Sequence, residues 1–60
     1  MSPFLFDLGQ SLMIAVSGET GTVIGRCEYL QGQPNYLLRY KTGDGRATEV
    51  FWGQDALAPA

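Results

Sequence analysis

The chain has 60 residues, 45% of them hydrophobic and 17% charged, with six acids against four bases, a net charge of −2 and no histidine. A chain this short buries only about 60% of its extended surface, which excludes two separate cores, and a pI near 4.6 is the opposite of the basic face that phosphate backbones select. The longest uninterrupted apolar stretch, Leu12 to Val16, has five residues against the about 20 of a membrane-crossing helix. The expectation is one soluble domain over residues 1–60 with no membrane partner, and with nucleic acid disfavoured as a partner.

Residues 1–8 are expected to form an N-terminal arm of the mature protein. Phe4, Leu5 and Phe6 make it apolar, but Pro3, Asp7 and the lack of a basic start set it apart from a secretory leader. Beyond it, glycines at 9, 18, 21, 25, 32, 43, 45 and 53 cut the chain into short segments. None carries a sustained helical period, and the turn signals recur at about the 8 to 12 residue spacing of all-β folds.

The first strand is predicted over Gln10 to Val16, closed by the turn residues Ser17 to Gly21. The second runs from Thr22 to about Leu30, with the odd positions Val23, Gly25, Cys27 and Tyr29 as its core face. Gly25 in mid-strand predicts a bulge or sharp bend. A loop from Gln31 to Asn35 leads to a third strand, Tyr36 to Thr42, and the fourth covers Arg46 to Trp52.

A three-residue loop, Gly43-Asp44-Gly45, with Gly45 left-handed at a bulge, joins the last two. It pairs Thr42 with Arg46, Tyr40 with Thr48, Leu38 with Val50, Tyr36 with Trp52 and Arg39 with Glu49. One face is then Tyr36, Leu38, Tyr40, Val50 and Trp52, and every charge between Arg39 and Glu49 except Arg46 and the loop Asp44 falls on the other. After Gly53, residues Gln54 to Leu57 read as a single helical or 3₁₀ turn, with Leu57 returning to the core in a short closing strand. Five strands, a bent second strand and a 3₁₀ turn before the last describe an all-β, SH3-like barrel.

The apolar content exceeds what such a barrel encloses. The hairpin register leaves Leu37 and Phe51 opposite each other on the outer face, and the first strand is apolar on both faces, with Leu12, Ile14 and Val16 alternating with Met13 and Ala15. Solvent-facing strands alternate apolar and polar more cleanly, and contiguous apolar patches mark interaction sites. The outer faces of the first and fourth strands are therefore expected to meet another subunit in a closed homo-oligomer, a dimer or tetramer.

Catalytic chemistry finds little support. Without histidine there is no Ser-His or Cys-His pair and the commonest metal ligand is missing, so no metal site and no catalytic residue are assigned. Cys27 reads as a small core residue, and as the lone cysteine it cannot close an internal disulfide, which fits a reducing cytoplasm. Gly18-Glu19-Thr20-Gly21 precedes a strand, whereas a phosphate cradle opens a helix. Asp44 is explained by its turn, Glu49 by its cross-strand partner and Asp55 by the start of a helical turn. Arg39, Lys41 and Arg46 form a basic cluster amid Tyr36, Tyr40, Phe51 and Trp52, the composition of single-strand binders, but a solvated hairpin face accounts for the same residues.

The segments Phe6-Asp7-Leu8-Gly9, Ser17-Gly18, Gly21-Thr22-Val23-Ile24-Gly25, Tyr36, Val50-Phe51-Trp52 and Ala56-Leu57 together resemble the plasmid-borne type II dihydrofolate reductases over about residues 6–57. The resemblance implies a homotetramer of SH3-like barrels around a central pore that takes NADPH and a folate. Phe51 stands at the family's pore isoleucine and Trp52 at its tyrosine. Val50, however, stands at its glutamine, and its lysine position falls near Ile14 or Ala15. Both polar contacts of that pore are absent here, and the alignment turns Val50 and Trp52 toward the pore, opposite to the hairpin register.

The leading expectation is a non-enzymatic, homo-oligomeric SH3-like barrel without a cofactor, a small accessory protein of the kind that phages, prophages and integron cassettes carry. It binds a partner or small ligand at its subunit interface through Trp52, Phe51, Val50, Tyr36, Leu37 and Ile14. The alternative is an oxidoreductase of the type II reductase kind using NADPH.

Overall fold

The structure, a computed structural model, describes residues 4–60. Met1, Ser2 and Pro3 of the expected arm lie outside the described residues.

The first strand, β1, is Ser11–Ile14, shorter than its apolar run. The Ile14 carbonyl accepts from the N–H groups of both Ser17 and Gly18, at 3.2 and 2.7 Å, so the chain turns before Val16, which stands exposed at the tip. The second, β2, is Thr20–Cys27; it begins earlier than predicted because Thr20 and Gly21 already pair with Met13 and Leu12. Gly21 has no room for a side chain: a Cβ there would lie 2.9 Å from the Arg39 carbonyl oxygen.

A bulge between Val23 and Gly25 breaks the register of β2 and corrects the predicted core face. One extra residue, Ile24, inverts the alternation beyond it. Val23 is buried as expected, but Cys27 is only half-buried and Tyr29 is exposed, beyond the end of the strand. After the bulge Arg26 stands opposite the core residue Tyr36. Its guanidinium stacks 4.6 Å from the Phe4 ring centroid and donates to the Phe6 carbonyl at 3.2 Å.

The third and fourth strands, β3 (Asn35–Lys41) and β4 (Ala47–Gly53), pair in the predicted register, from Tyr36 opposite Trp52 through Leu38 opposite Val50 to Tyr40 opposite Thr48. The loop is the three-residue one. Gly45 has φ +87°, a conformation that favours glycine; its N–H reaches the Thr42 carbonyl at 2.9 Å, and the Thr42 N–H reaches the Arg46 carbonyl at 2.8 Å. A single 3₁₀ turn, Gln54–Ala56, leads into β5, Leu57–Pro59.

The protein is all-β: one antiparallel five-stranded sheet in the order β4-β3-β2-β1-β5, with no α-helix among the described residues. Among those residues no ladder joins β4 to β5, so the sheet is open and has two edges. Its core is Phe6, Leu12, Ile14, Val23, Tyr36, Leu38 and Leu57, with Phe4, Tyr40 and Trp52 packed against it. Tyr36 joins the segment before β1 to the sheet: the rings of Phe6 and Phe4 meet it edge-on at 5.2 and 5.9 Å. Its hydroxyl accepts from the Leu5 N–H at 3.0 Å and donates to Gln54 Oε1. The described part of the arm is thus docked on the core.

Candidate functional site

The residues expected at an interface separate into two groups. Ile14 and Tyr36 are 0% exposed and lie wholly inside the chain's own core, so neither has a side chain to offer a partner. The reason is the same for both: on β1 and β3 they occupy the face turned toward Val23, Leu38 and Leu57. Val50, Phe51, Trp52 and Leu37 remain at the surface to different degrees. Val50 is 39% and Phe51 52% exposed, while Trp52 and Leu37 are half-buried.

These four are positioned by β4 and its partner β3. Val50 and Trp52 share the face of Tyr36 and Leu38; Phe51 and Leu37 stand opposite each other on the other face. Trp52 packs on the core, whereas Val50, on the edge strand opposite the buried Leu38, is exposed. Large apolar side chains therefore emerge on both sides of one strand within two consecutive residues. Trp52 adds an unmet demand. Its indole Nε1 is enclosed and has no hydrogen-bond acceptor among the described residues, a condition that costs about 1–3 kcal/mol for a neutral group.

Among the described residues nothing pairs with the outer side of the β4 backbone. The hydrogen bond from Thr42 to Arg46 at the loop, and that from the Gln54 N–H to the Pro34 carbonyl at the other end (3.0 Å), fix the even residues of β4 as the ones bonded to β3. Among the described residues the N–H and C=O groups of Ala47, Glu49 and Phe51 point away from β3, along the free edge, as does the Gly53 N–H, while the Gly53 carbonyl opens the 3₁₀ turn.

The basic cluster is divided by the same alternation. Arg39 and Lys41 lie on the Phe51 face and Arg46 on the Val50 face. Arg39 is engaged by Glu49, with Nη2 to Oε2 at 2.8 Å and Nε to Oε2 at 2.9 Å. Arg46 and Asp44 line a shallow open depression with Thr42, Gly43, Ala47 and Thr48 at the hairpin tip. The Asp44 carboxylate is occupied there, accepting from the Thr42 hydroxyl and from the Arg46 N–H at 3.2 Å. The Thr42 hydroxyl holds its pKa below the ordinary aspartate value. No group of three or more potential metal ligands gathers among the described residues, and none of their helical segments is long and apolar enough to cross a membrane.

Sequence reasoning missed the residues that tie the loops together. Gln33 and Asp55 clasp each other, Gln33 Nε2 donating to Asp55 Oδ1 at 2.9 Å and the Asp55 N–H to Gln33 Oε1 at 2.7 Å. Gln54 receives the Tyr36 hydroxyl. These pairs are 22 and 18 residues apart, and no local pattern announces them. Beside Tyr29, the Cys27 thiol pushes the phenol above its usual pKa. By register Cys27 lies on the face of Gly25, Leu37 and Phe51. No protein-family model, curated protein or solved structure matches the chain.

Proposed function

We propose that the protein is a small, non-enzymatic SH3-like barrel that associates with itself and binds a partner or small ligand at the interface so formed. The strand order and the bulge in β2 support the barrel: β2 pairs with β1 over Thr20–Thr22 and with β3 from Thr22 to Cys27, the way one long bent strand serves two halves of a small barrel. An accessory role of the kind carried by phages, prophages or integron cassettes, in the cytoplasm, accords with the small size and the lone thiol.

One observation carries the reading. β4 is a seven-residue edge that exposes Val50 and Phe51 on opposite faces. Edge strands of solitary proteins are blunted, because unpaired backbone beside apolar side chains invites another chain. The contact residues under this reading are Phe51, Val50, Leu37 and the outer part of Trp52.

Phe51→Asp tests it. The variant is expected to keep the wild-type β-sheet circular dichroism while its sedimentation coefficient falls to that of a single chain. A folded variant that sediments like wild type contradicts the assignment of β4 to the interface.

A further inference from the structure

The apolar pair on β4 says that something covers the strand; its backbone and charges say in what register. Resting on the self-association reading above, we infer that β4 pairs with β4 of a second copy, antiparallel and centred on Val50, to make one continuous ten-stranded sheet across a two-fold axis.

A two-fold perpendicular to a sheet must set some β4 residue opposite its own copy. Centring on Glu49 opposes two carboxylates, which is destabilising. Centring on Phe51 runs Ala47 past the strand end toward Asp55 and shortens the ladder. Val50 is the midpoint of Ala47–Gly53, so centring there keeps the whole strand paired: Glu49 opposite Phe51, Ala47 opposite Gly53 and Thr48 opposite Trp52 of the other copy. The residues whose N–H and C=O face the free edge then meet one another, as an antiparallel ladder requires.

The side chains agree with this register on both faces. On one, each Glu49 arrives already neutralised by Arg39 and lies beside the partner copy's Phe51, while the two Phe51 rings stand diagonally within reach. On the other, the two Val50 side chains oppose each other next to Leu38. Thr48, whose hydroxyl has no hydrogen-bond partner among the described residues, faces the copy of Trp52. An indole that turns outward on association finds in that hydroxyl the acceptor its Nε1 lacks within one chain. The edge carries no proline and no lysine over Ala47–Gly53, the two residues that most often block such pairing.

The test separates register from association. In a Cys27→Ser background, Val50→Cys and Ala47→Cys are oxidised mildly while solution mass is followed by light scattering. Residues opposed in a non-hydrogen-bonded pair have Cα atoms about 4.5 Å apart, within disulfide range, so Val50→Cys is expected to cross-link to dimer. Two copies of position 47 are about 20 Å apart at 3.4 Å per residue, so Ala47→Cys is expected to cross-link at least about tenfold more slowly. In the unaltered protein, the amides of Glu49 and Phe51 are expected to exchange about a hundredfold more slowly in the associated state than at a free edge. An oligomer that cross-links no faster at 50 than at 47, or whose Glu49 and Phe51 amides exchange freely, overturns the strand pairing while leaving self-association standing. A single-chain mass at every concentration overturns both.

Discussion

The two edges of the sheet are built in opposite ways. β5 has three residues, ends in Pro59, and turns Leu57 into the core; a chain approaching it finds few free donors and, besides Ala58 and Pro59, no apolar side chain. β4 has seven residues, no proline, and shows Val50 and Phe51 to solvent. The contrast teaches that apolar content alone does not mark an interface. Leu57 and Phe51 are both large, apolar edge residues, yet the first is buried by its own chain and the second is not. What distinguishes them is whether the strand's backbone is also left open.

Substitutions that act on one edge and spare the other sharpen this contrast. Leu57→Ala should have the largest effect on stability, about 2–5 kcal/mol, because it opens a cavity in a small core, with seven buried hydrophobic residues among those described; denaturant unfolding at a concentration that keeps the protein monomeric measures it. Phe51→Ala should change that same stability by less than about 1 kcal/mol, since Phe51 is 52% exposed, while weakening association by tenfold or more, read by sedimentation. Comparable stability losses at the two positions would erase the distinction between the edges. Arg39→Ala should cost the single chain less than about 1 kcal/mol, because the ion pair with Glu49 is exposed on both sides.

The smallest effect is in pH. Asp44 has its pKa lowered below the ordinary aspartate value by the Thr42 hydroxyl and the Arg46 N–H. A depressed carboxyl pKa stabilises the folded hairpin above the unfolded-state value, and that contribution is lost as pH falls through the folded-state value. Order at the β3–β4 loop should therefore weaken in acid, and Asp44→Asn should remove the pH dependence. Amide chemical shifts of Gly45 and Arg46, followed through an acid titration, measure it. A flat titration of the unaltered loop contradicts this role for Asp44.

The β3–β4 hairpin was the most legible part of the sequence. Its loop residues, Gly43-Asp44-Gly45, permit few geometries, and only one of them clears Arg39 and Lys41 from the face of Val50 and Trp52. β2 was legible only as far as its bulge. Gly25 announced an irregularity, but which residue is extra depends on how β2 crosses between β1 and β3, and that choice decides the sides of Cys27 and Arg26. The end of β1 was misread because Val16 is apolar, while the turn is fixed by two hydrogen bonds to the Ile14 carbonyl.

The candidate site was half legible for a related reason. Alternation places Tyr36, Val50 and Trp52 on one face but does not say how far the core extends along it. Phe4 and Phe6 come back to cover Tyr36, and the core continues along β3 to Leu38 and Tyr40, but it does not extend across to Val50 on the edge strand. That docking brings together Leu5, Arg26, Tyr36 and Gln54 from four parts of the chain, and no single segment encodes it.

The central claim is that β4 is an edge made to be covered by another copy of the chain. The mass of the unaltered protein in solution tests it most directly, by light scattering or sedimentation equilibrium across a hundredfold range of concentration around about 10 μM. The account predicts a multiple of the 6.5 kDa chain mass, a dimer or a tetramer, that dissociates on dilution. A mass of one chain throughout that range would contradict it.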